Sequence, residues 1–226
     1  MITLSEHNVS GAVLASGTAL DPESINRWYP RIQGIRWNYV IRAIERPTTN
    51  SNDISNPTDR SVLKAIRTQS DLIITTGKTA RAENLKSSKL APILIITRDY
   101  NLDIPATQQE SALPVYLLGV RELSKSNNPN LAIIGGNHEE FWNEISEIKT
   151  RYQSIVLESG LSLAKSFIEQ NLLDELNITV TDSNRHSVAK TRFEEFLTSL
   201  DIKVEILQTL SSETTWFFRA LLKRRI

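Results

Sequence analysis

The stretch Ile155-Val156-Leu157-Glu158-Ser159-Gly160-Leu161-Ser162-Leu163-Ala164-Lys165-Ser166-Phe167-Ile168 changes period in its middle. Ile155 to Leu157 is an unbroken apolar run, as in a buried strand, whereas the apolar positions after Gly160 recur at helical spacing. The small polar turn Glu158-Ser159-Gly160 joins the two. A strand that hands over to a helix in so few residues leaves the first backbone N–H groups of the helix without partners, and such a terminus suits an anion such as phosphate. The carboxylate of Glu158 at the same corner is the feature that needs a physical account.

Outward from this corner the chain alternates strand and helix. Asp21-Pro22-Glu23-Ser24 sets an N-cap before a proline at the first helical position, so a short helix is predicted up to Pro30. Trp37 to Ile44 reads as a strand and the polar run Pro47 to Asp53 as a loop. Asn56-Pro57-Thr58-Asp59 caps a second helix with Val62, Leu63 and Ile66 on its apolar side. Strands follow at Leu72–Thr75, Ile93–Thr97, Val115–Leu118 and Leu131–Ile134, then a helix from near Asn137 that carries Phe141, Ile145, Ile148 and Tyr152. Beyond the opening stretch come a strand at Leu176–Val180, a helix at Arg192–Leu200, and an antiparallel pair at Lys203–Leu210 and Thr215–Leu222. This order predicts an α/β protein with three α/β/α layers, a mixed and mostly parallel sheet, and a C-terminal antiparallel pair. Ligands of such sheets gather beyond the carboxyl ends of the strands, here the turns after Thr75, Thr97 and Leu157.

Composition narrows the function. A chain of 226 residues at 40% hydrophobic can bury one α/β core, so residues 1–226 are read as one domain. Lys plus Arg and Asp plus Glu both number 26, and this balance gives no global field toward nucleic acid or an anionic membrane. The basic end Lys223-Arg224-Arg225 is a solvated strand terminus on this reading. Residues 9–17 faintly resemble a secretion leader, but Glu6 and His7 stand where basic residues should precede it, and no apolar run is long enough to span a bilayer. The chain has no cysteine, which fits a reducing cytosol, and a cytoplasmic protein is expected. Its three histidines, His7, His138 and His186, show no zinc-ligand spacing, so no metal is expected.

Several short motifs fail on inspection. Thr76-Gly77-Lys78-Thr79 ends like a P-loop, which needs a further glycine where Leu72 stands. Ser159-Gly160-Leu161-Ser162 lacks the glycine pattern of a nucleophile elbow. Gly135-Gly136, between a strand and a helix, reads as a tight turn in preference to a phosphate site, and His138-Glu139-Glu140 as the polar first turn of its helix.

The run from Asp59 to Asn84 resembles the reductase domain of riboflavin biosynthesis, a relative of dihydrofolate reductase. In that family a helix with an arginine near its end leads to a strand, a glycine-containing turn and then T-x-R-A-D/E, here Thr79-Ala80-Arg81-Ala82-Glu83. A second match is Leu157-Glu158-Ser159-Gly160 with Leu172-Leu173-Asp174-Glu175-Leu176, where the family reads E-G-G, a helix, then L-x-D-E-L. The resemblance covers roughly residues 36 to 222 and implies a single dihydrofolate reductase-like domain.

It also implies NADPH across the strand ends. Thr76, Gly77, Thr79 and Arg81 would lie near the phosphates, where the planar guanidinium of Arg81 suits phosphate oxygens. Thr97 and Arg98 stand where relatives meet the adenosine 2′-phosphate, and Ser159, Gly160 and Leu161 form the pyrophosphate corner. Asn38, Arg42 and Glu158 fall on the substrate side; Glu158 would face substrate, cap a backbone donor, or merely end its strand. Glu83 is the candidate for ribose contact and proton delivery, or else a surface glutamate. Family members pair through their sheets, which implies a homodimer, with Trp216, Phe217 and Phe218 as apolar surface for it unless they belong to the core.

Three departures bear on activity, one being that Thr181-Asp182-Ser183-Asn184-Arg185-His186 stands in place of the family's Gly-rich stretch after the strand at Leu176–Val180. Ser159 replaces a glycine of the E-G-G corner, where dihydrofolate reductase relatives often carry a cis peptide. The family's first-strand N-M-V-x-S-x-D-G corresponds to Asn38 through Glu45, so its serine, aspartate and glycine become Arg42, Ile44 and Glu45. The zinc deaminase that often accompanies this reductase needs cysteines and is excluded. Two functions remain: an NADPH-dependent reductase of a pyrimidine or pterin-like small molecule, and a diverged, non-catalytic binding or assembly module.

Overall fold

The structure, a computed structural model, describes residues 2–44, 54–98, 102–108, 112–119, 131–134 and 138–223. Glu45, the Pro47–Asp53 loop, Gly135-Gly136 and Arg224-Arg225 lie outside the described residues. The elements run β1 (Thr3–His7), β2 (Val13–Ala19), α1 (Pro22–Trp28), β3 (Gly34–Arg42), α2 (Pro57–Thr68), β4 (Leu72–Thr76), α3 (Gly77–Ala82), β5 (Ile93–Thr97), α4 (Pro105–Gln108), β6 (Val115–Gly119) and β7 (Leu131–Ile134). They continue with α5 (His138–Arg151), β8 (Ser154–Glu158), α6 (Leu161–Glu169), β9 (Leu173–Thr181), α7 (His186–Ser199), β10 (Val204–Ser212) and β11 (Thr215–Leu222).

Among the described residues the strands form one sheet of eleven, ordered β2-β1-β10-β11-β9-β3-β8-β4-β5-β6-β7. From β9 to β7 every pairing is parallel, and from β2 to β9 every pairing is antiparallel. The antiparallel part therefore holds the expected C-terminal pair and also an N-terminal hairpin. Residues 9–17, with their leader-like composition, form its turn and most of β2. Two register shifts between β1 and β2 break the two-residue alternation by which a strand is recognised in sequence.

Two apolar layers sandwich the sheet. On one face Phe141, Ile145 and Ile148 of α5, Ala164 and Phe167 of α6, and Phe193, Phe196 and Leu197 of α7 pack on Trp37, Ile74 and Leu157. On the other, Trp28 of α1, Val62 and Ile66 of α2, and Ala80 of α3 pack on Ile73, Ile95, Val156 and Phe217. Asp21 and Asn56 cap α1 and α2 as expected, accepting from the N–H groups of Ser24 at 2.8 Å and Asp59 at 2.9 Å. Helix α7 begins at His186, six residues earlier than its apolar pattern indicates, because its first turns are mostly polar and exposed. Trp216, Phe217 and Phe218 are buried in the core, which removes them as an exposed pairing surface.

The Leu172–Leu176 motif acquires a structural meaning. Asp174 Oδ2 accepts the Ile35 N–H at 2.8 Å and pairs with Lys149 Nζ at 2.7 Å, which fixes the start of β3. Gly34 has φ +128, and a Cβ there would stand 2.0 Å from that carboxylate oxygen. Glu175 is 1% exposed between two arginines: Oε1 accepts from Arg36 Nε at 2.5 Å, and Oε2 lies 3.0 Å from Arg219 Nε. Arg36 also donates to the Pro30 carbonyl and Arg219 to that of Trp28, so one carboxylate ties β9, β3, β11 and the end of α1 together. Burial pulls the Arg36 guanidinium below its ordinary range, against the opposing charge and hydrogen bond of Glu175.

Removing Glu175 leaves two poorly hydrated cations facing each other. Glu175→Ala should lower stability by about 3–5 kcal/mol, while Lys149→Ala, at a half-exposed pair, should cost about 1 kcal/mol or less. Urea unfolding of both variants measures this, and similar small losses would show that the buried carboxylate is dispensable.

Candidate functional site

From β3 the chain crosses through α2 to β4 and continues outward to β7; it then returns as β8 between β3 and β4, and α6 carries it on to β9 beyond β3. Because α2 and α6 lie on opposite faces, the two connections part at the carboxyl end of β8. This is a topological switch point, where open α/β sheets bind ligands. The corner Glu158-Ser159-Gly160 stands there.

The three candidate corners are neighbours. Thr75 of β4 is level with Glu158 of β8, and Thr76 with Ile96 of β5. Thr75 Oγ1 donates to the Glu158 carbonyl at 3.0 Å, and Trp37 Nε1 of β3 to the Ser159 carbonyl at 3.1 Å. These bonds hold the corner from both sides and leave its N–H groups to point elsewhere. Helix α6 has Gly160 as its N-cap, with no side-chain cap bond, and open space where a Cβ would stand. Ser159 is buried, and its hydroxyl has no hydrogen-bond partner. Leu161 packs on the core behind it, and no peptide bond among the described residues is cis.

At the β4 corner the Thr76 hydroxyl caps α3, accepting the Thr79 N–H at 3.1 Å and lying 2.9 Å from the Thr79 hydroxyl. Gly77 lies against the end of β5, where a Cβ would come within 2.7 Å of Thr97 Oγ1 and 3.0 Å of Thr97 Cβ. Glycine is what lets the two corners touch. Arg81 and Arg98 are exposed and make no hydrogen bond or ion pair to a described residue, while Thr97 is buried.

The carboxylate at the opening corner is claimed by a residue of α2. Arg67 Nε donates to Glu158 Oε1 at 2.7 Å and Arg67 Nη2 to Oε2 at 2.5 Å, a two-pronged pair. Desolvation would lower the Arg67 pKa, but the hydrogen bonds and charge of Glu158, with a further pull from Glu83, raise it above its ordinary value. Glu83, the C-cap of α3, is thus close enough for its charge to act on Arg67. Sequence spacing alone attached no role to Arg67, since its partner lies 91 residues away.

On the β3 side, the Asn177 amide donates to Asn38 Oδ1 at 2.5 Å, and Arg42 Nε lies 3.4 Å from Asp182 Oδ2 at the far end of β9. Asn38 is two steps along β9 from Thr179, whereas Arg42 is level with Thr181, so the structure spreads Asn38 and Arg42 along the strand instead of gathering both at the corner. Asp59, in the first turn of α2, is a further buried carboxyl that the motif reading left without a role. Burial chiefly raises its pKa and the Glu158 charge adds to this, against the hydrogen bond from Ser55 and the charge of Arg60. Among the described residues no group of three or more His, Asp or Glu could hold a metal ion, and no helix is long and apolar enough to cross a membrane.

The layered sheet with its switch point at β8 defines an α/β protein of the dihydrofolate reductase-like class. The family model described as the RibD C-terminal domain matches residues 43–181, more than half of the chain, and the protein belongs to that family. Solved structures share the fold at low identity. A pyrimidine reductase-like protein from Corynebacterium diphtheriae is 15% identical with a TM-score of 0.63, covering 89% of this chain and 99% of that one. Riboflavin biosynthesis reductase Rib7 of Saccharomyces cerevisiae is 15% identical with a TM-score of 0.59 over the same shares. A diaminohydroxyphosphoribosylaminopyrimidine deaminase/5-amino-6-(5-phosphoribosylamino)uracil reductase from Thermotoga maritima is 12% identical with a TM-score of 0.63, covering 88% of this chain and 59% of that one. No curated protein matches the chain in sequence. At these identities the solved structures show a shared fold, and the chain is a diverged member of the RibD C-terminal domain family.

Two substitutions test the corner. Gly77→Ala forces the Thr97 Cβ to move and should cost about 1–3 kcal/mol, whereas Gly160→Ala meets nothing and should cost at most about 1 kcal/mol. Equal costs by denaturant unfolding would refute the contact between the β4 and β5 corners. Asp59 gives a pH test. Its folded pKa is raised, so its contribution to stability is full below the unfolded value of about 3.9 and is lost as pH rises through the folded value. Asp59→Asn does not titrate, so its stability relative to the parent should rise across that window and then level off; a flat difference between about pH 4 and pH 8 would contradict the burial of this carboxyl.

Proposed function

We propose that the protein is an NADPH-dependent reductase of a pyrimidine or pterin-like small molecule, resembling 5-amino-6-(5-phosphoribosylamino)uracil reductase. The observation that carries this reading is the corner at the switch point: α6 begins there without a side-chain cap, Gly160 faces open space, and the buried Ser159 hydroxyl lacks a partner. Those are the features expected of a site that takes a phosphate from outside the chain. The residues fit the cofactor. Ser159, Gly160 and Leu161 would hold the pyrophosphate; Thr76, Gly77, Thr79 and Arg81 the adjoining phosphates; Thr97 and Arg98 the 2′-phosphate.

When bound, NADPH supplies the hydride, and the chain's own residues need only bind, orient, exclude water and deliver a proton. Asn38, Arg42 and Glu158 are proposed for the substrate side, with Glu158 held in one orientation by Arg67. Glu83, whose charge acts on Arg67, is proposed to deliver the proton. A cytoplasmic location and a homodimer come with the reading, the dimer seated on surface other than the last strand, whose aromatics are buried.

One observation favours the non-catalytic alternative. Arg42 replaces the serine of the family's first-strand motif, and its guanidinium lies against Asp182 while its carbonyl accepts from Arg192. A diverged binding or assembly module would tolerate that change.

Thermal shift with NADPH and NADH separates the two. Saturating NADPH, about a hundredfold over its dissociation constant, should stabilise the protein by about 2.7 kcal/mol, and Arg81→Ala should weaken binding about tenfold. Absence of a shift with either nucleotide removes the reductase and leaves the module.

A further inference from the structure

The N-terminal hairpin lies outside residues 43–181, the segment matched by the family model, and its attachment to the body is unusual in chemistry. β1 pairs with β10, and the hairpin turn, tied by Asn8 Oδ1 to the N–H groups of Ser10 and Ala12, lies on the start of α7. Gly11, at φ +92, presses so closely on His186 that a Cβ would stand 2.3 Å from its Nδ1. Lys190 Nζ reaches the Val9 carbonyl at 3.3 Å. From β1, His7 is fixed on both ring nitrogens, Nδ1 at 3.1 Å from the Gly11 carbonyl and Nε2 at 2.7 Å from Ser211 Oγ. The Trp216 ring packs against both imidazoles, with centroids 4.7 Å from His7 and 5.1 Å from His186.

We propose that this hairpin is a proton-operated latch, docked while His186 is neutral and released when its imidazole takes up a proton. His186 is half-buried, and one of its two ring nitrogens has no acceptor for a second proton. That nitrogen, Nε2, is itself buried, and an imidazolium needs acceptors on both nitrogens. His186 is the first residue of α7, where the helix dipole opposes positive charge. The charged and titratable groups facing it are Lys190 and Glu194 on its own helix and His7 from β1; β11 brings the rings of Trp216 and Phe218, and the turn brings the Gly11 backbone. Lys190 and His7 oppose a proton, and Glu194 favours it. The Trp216 ring is tilted by 57° to the imidazole, so the two rings do not stack.

Burial first, then Lys190 and His7, lower the His186 pKa in the docked state. The docked hairpin is therefore fully favoured above the ordinary histidine value of about 6.5 and loses that advantage as pH falls through the docked value. Release uncovers the edge of β10, an unpaired strand edge that acid alone would expose.

Hydrogen exchange of the intact protein, corrected for the intrinsic pH dependence of exchange, tests this on peptides from residues 2–19. Their protection should fall between about pH 7.5 and pH 5, by up to about thirtyfold if His186 stays unprotonated while docked, with β4 and β8 unchanged. His186→Gln should abolish that pH dependence. Constant protection of the hairpin in the parent, or the same acid loss in His186→Gln, would overturn the latch. Should that variant fail to fold, NMR of the parent decides: the His186 titration must track the Gly11 amide, and a Gly11 amide that stays fixed while His186 titrates overturns it equally.

Discussion

The position of β8 between β3 and β4 is the constraint on which the site depends. β8 is made long after β3 and β4, yet it supplies the register for these neighbours on both sides, with Trp37 level with Leu157 and Thr75 level with Glu158. Its end is then secured by groups from three other elements: the indole of Trp37, the hydroxyl of Thr75 and the guanidinium of Arg67. All three bind the carbonyls or the carboxylate of Glu158-Ser159. None occupies the amide side of the corner, so the start of α6 keeps its unpaired donors.

That arrangement accounts for the carboxylate at a corner suited to anions. An acid there would repel a phosphate if it were free, but two charge-assisted hydrogen bonds to Arg67 neutralise it and turn it toward the α2 face. Glu83 and Asp59 sense the same pair, one through Arg67 and the other through Glu158. The site is thus an electrostatic unit drawn from α2, α3 and β8, and a change at one member is felt by the others.

The two halves of the family motif do different work. Asp174 and Glu175 lie away from the corner and act on architecture, one fixing the start of β3 and the other joining β9, β3 and β11. A buried carboxylate between two arginines contributes less to net stability than to the register of those strands, since the ions must give up hydration to meet. The N-terminal hairpin adds two antiparallel strands to a sheet whose matched segment is parallel, and it meets the body through the imidazole contact of His7 with Trp216, on which His186 also packs.

Periodicity alone revealed the parallel strands, the caps at Asp21 and Asn56, and the change of period at Glu158-Ser159-Gly160, because each is written in residues a few positions apart. It could not reveal β1 and β2, whose bulges hide the two-residue repeat, nor the early start of α7, whose first turns are polar. The fate of Trp216, Phe217 and Phe218 was also open to sequence, since an aromatic strand reads alike whether it is covered by α7 or by a partner. The pairing of Arg67 with Glu158, the contact of Gly77 with Thr97 and the packing of His7 and His186 on Trp216 join residues far apart in the chain. Only the order of strands in the folded sheet decides such contacts, because no local preference records which distant strand will lie alongside.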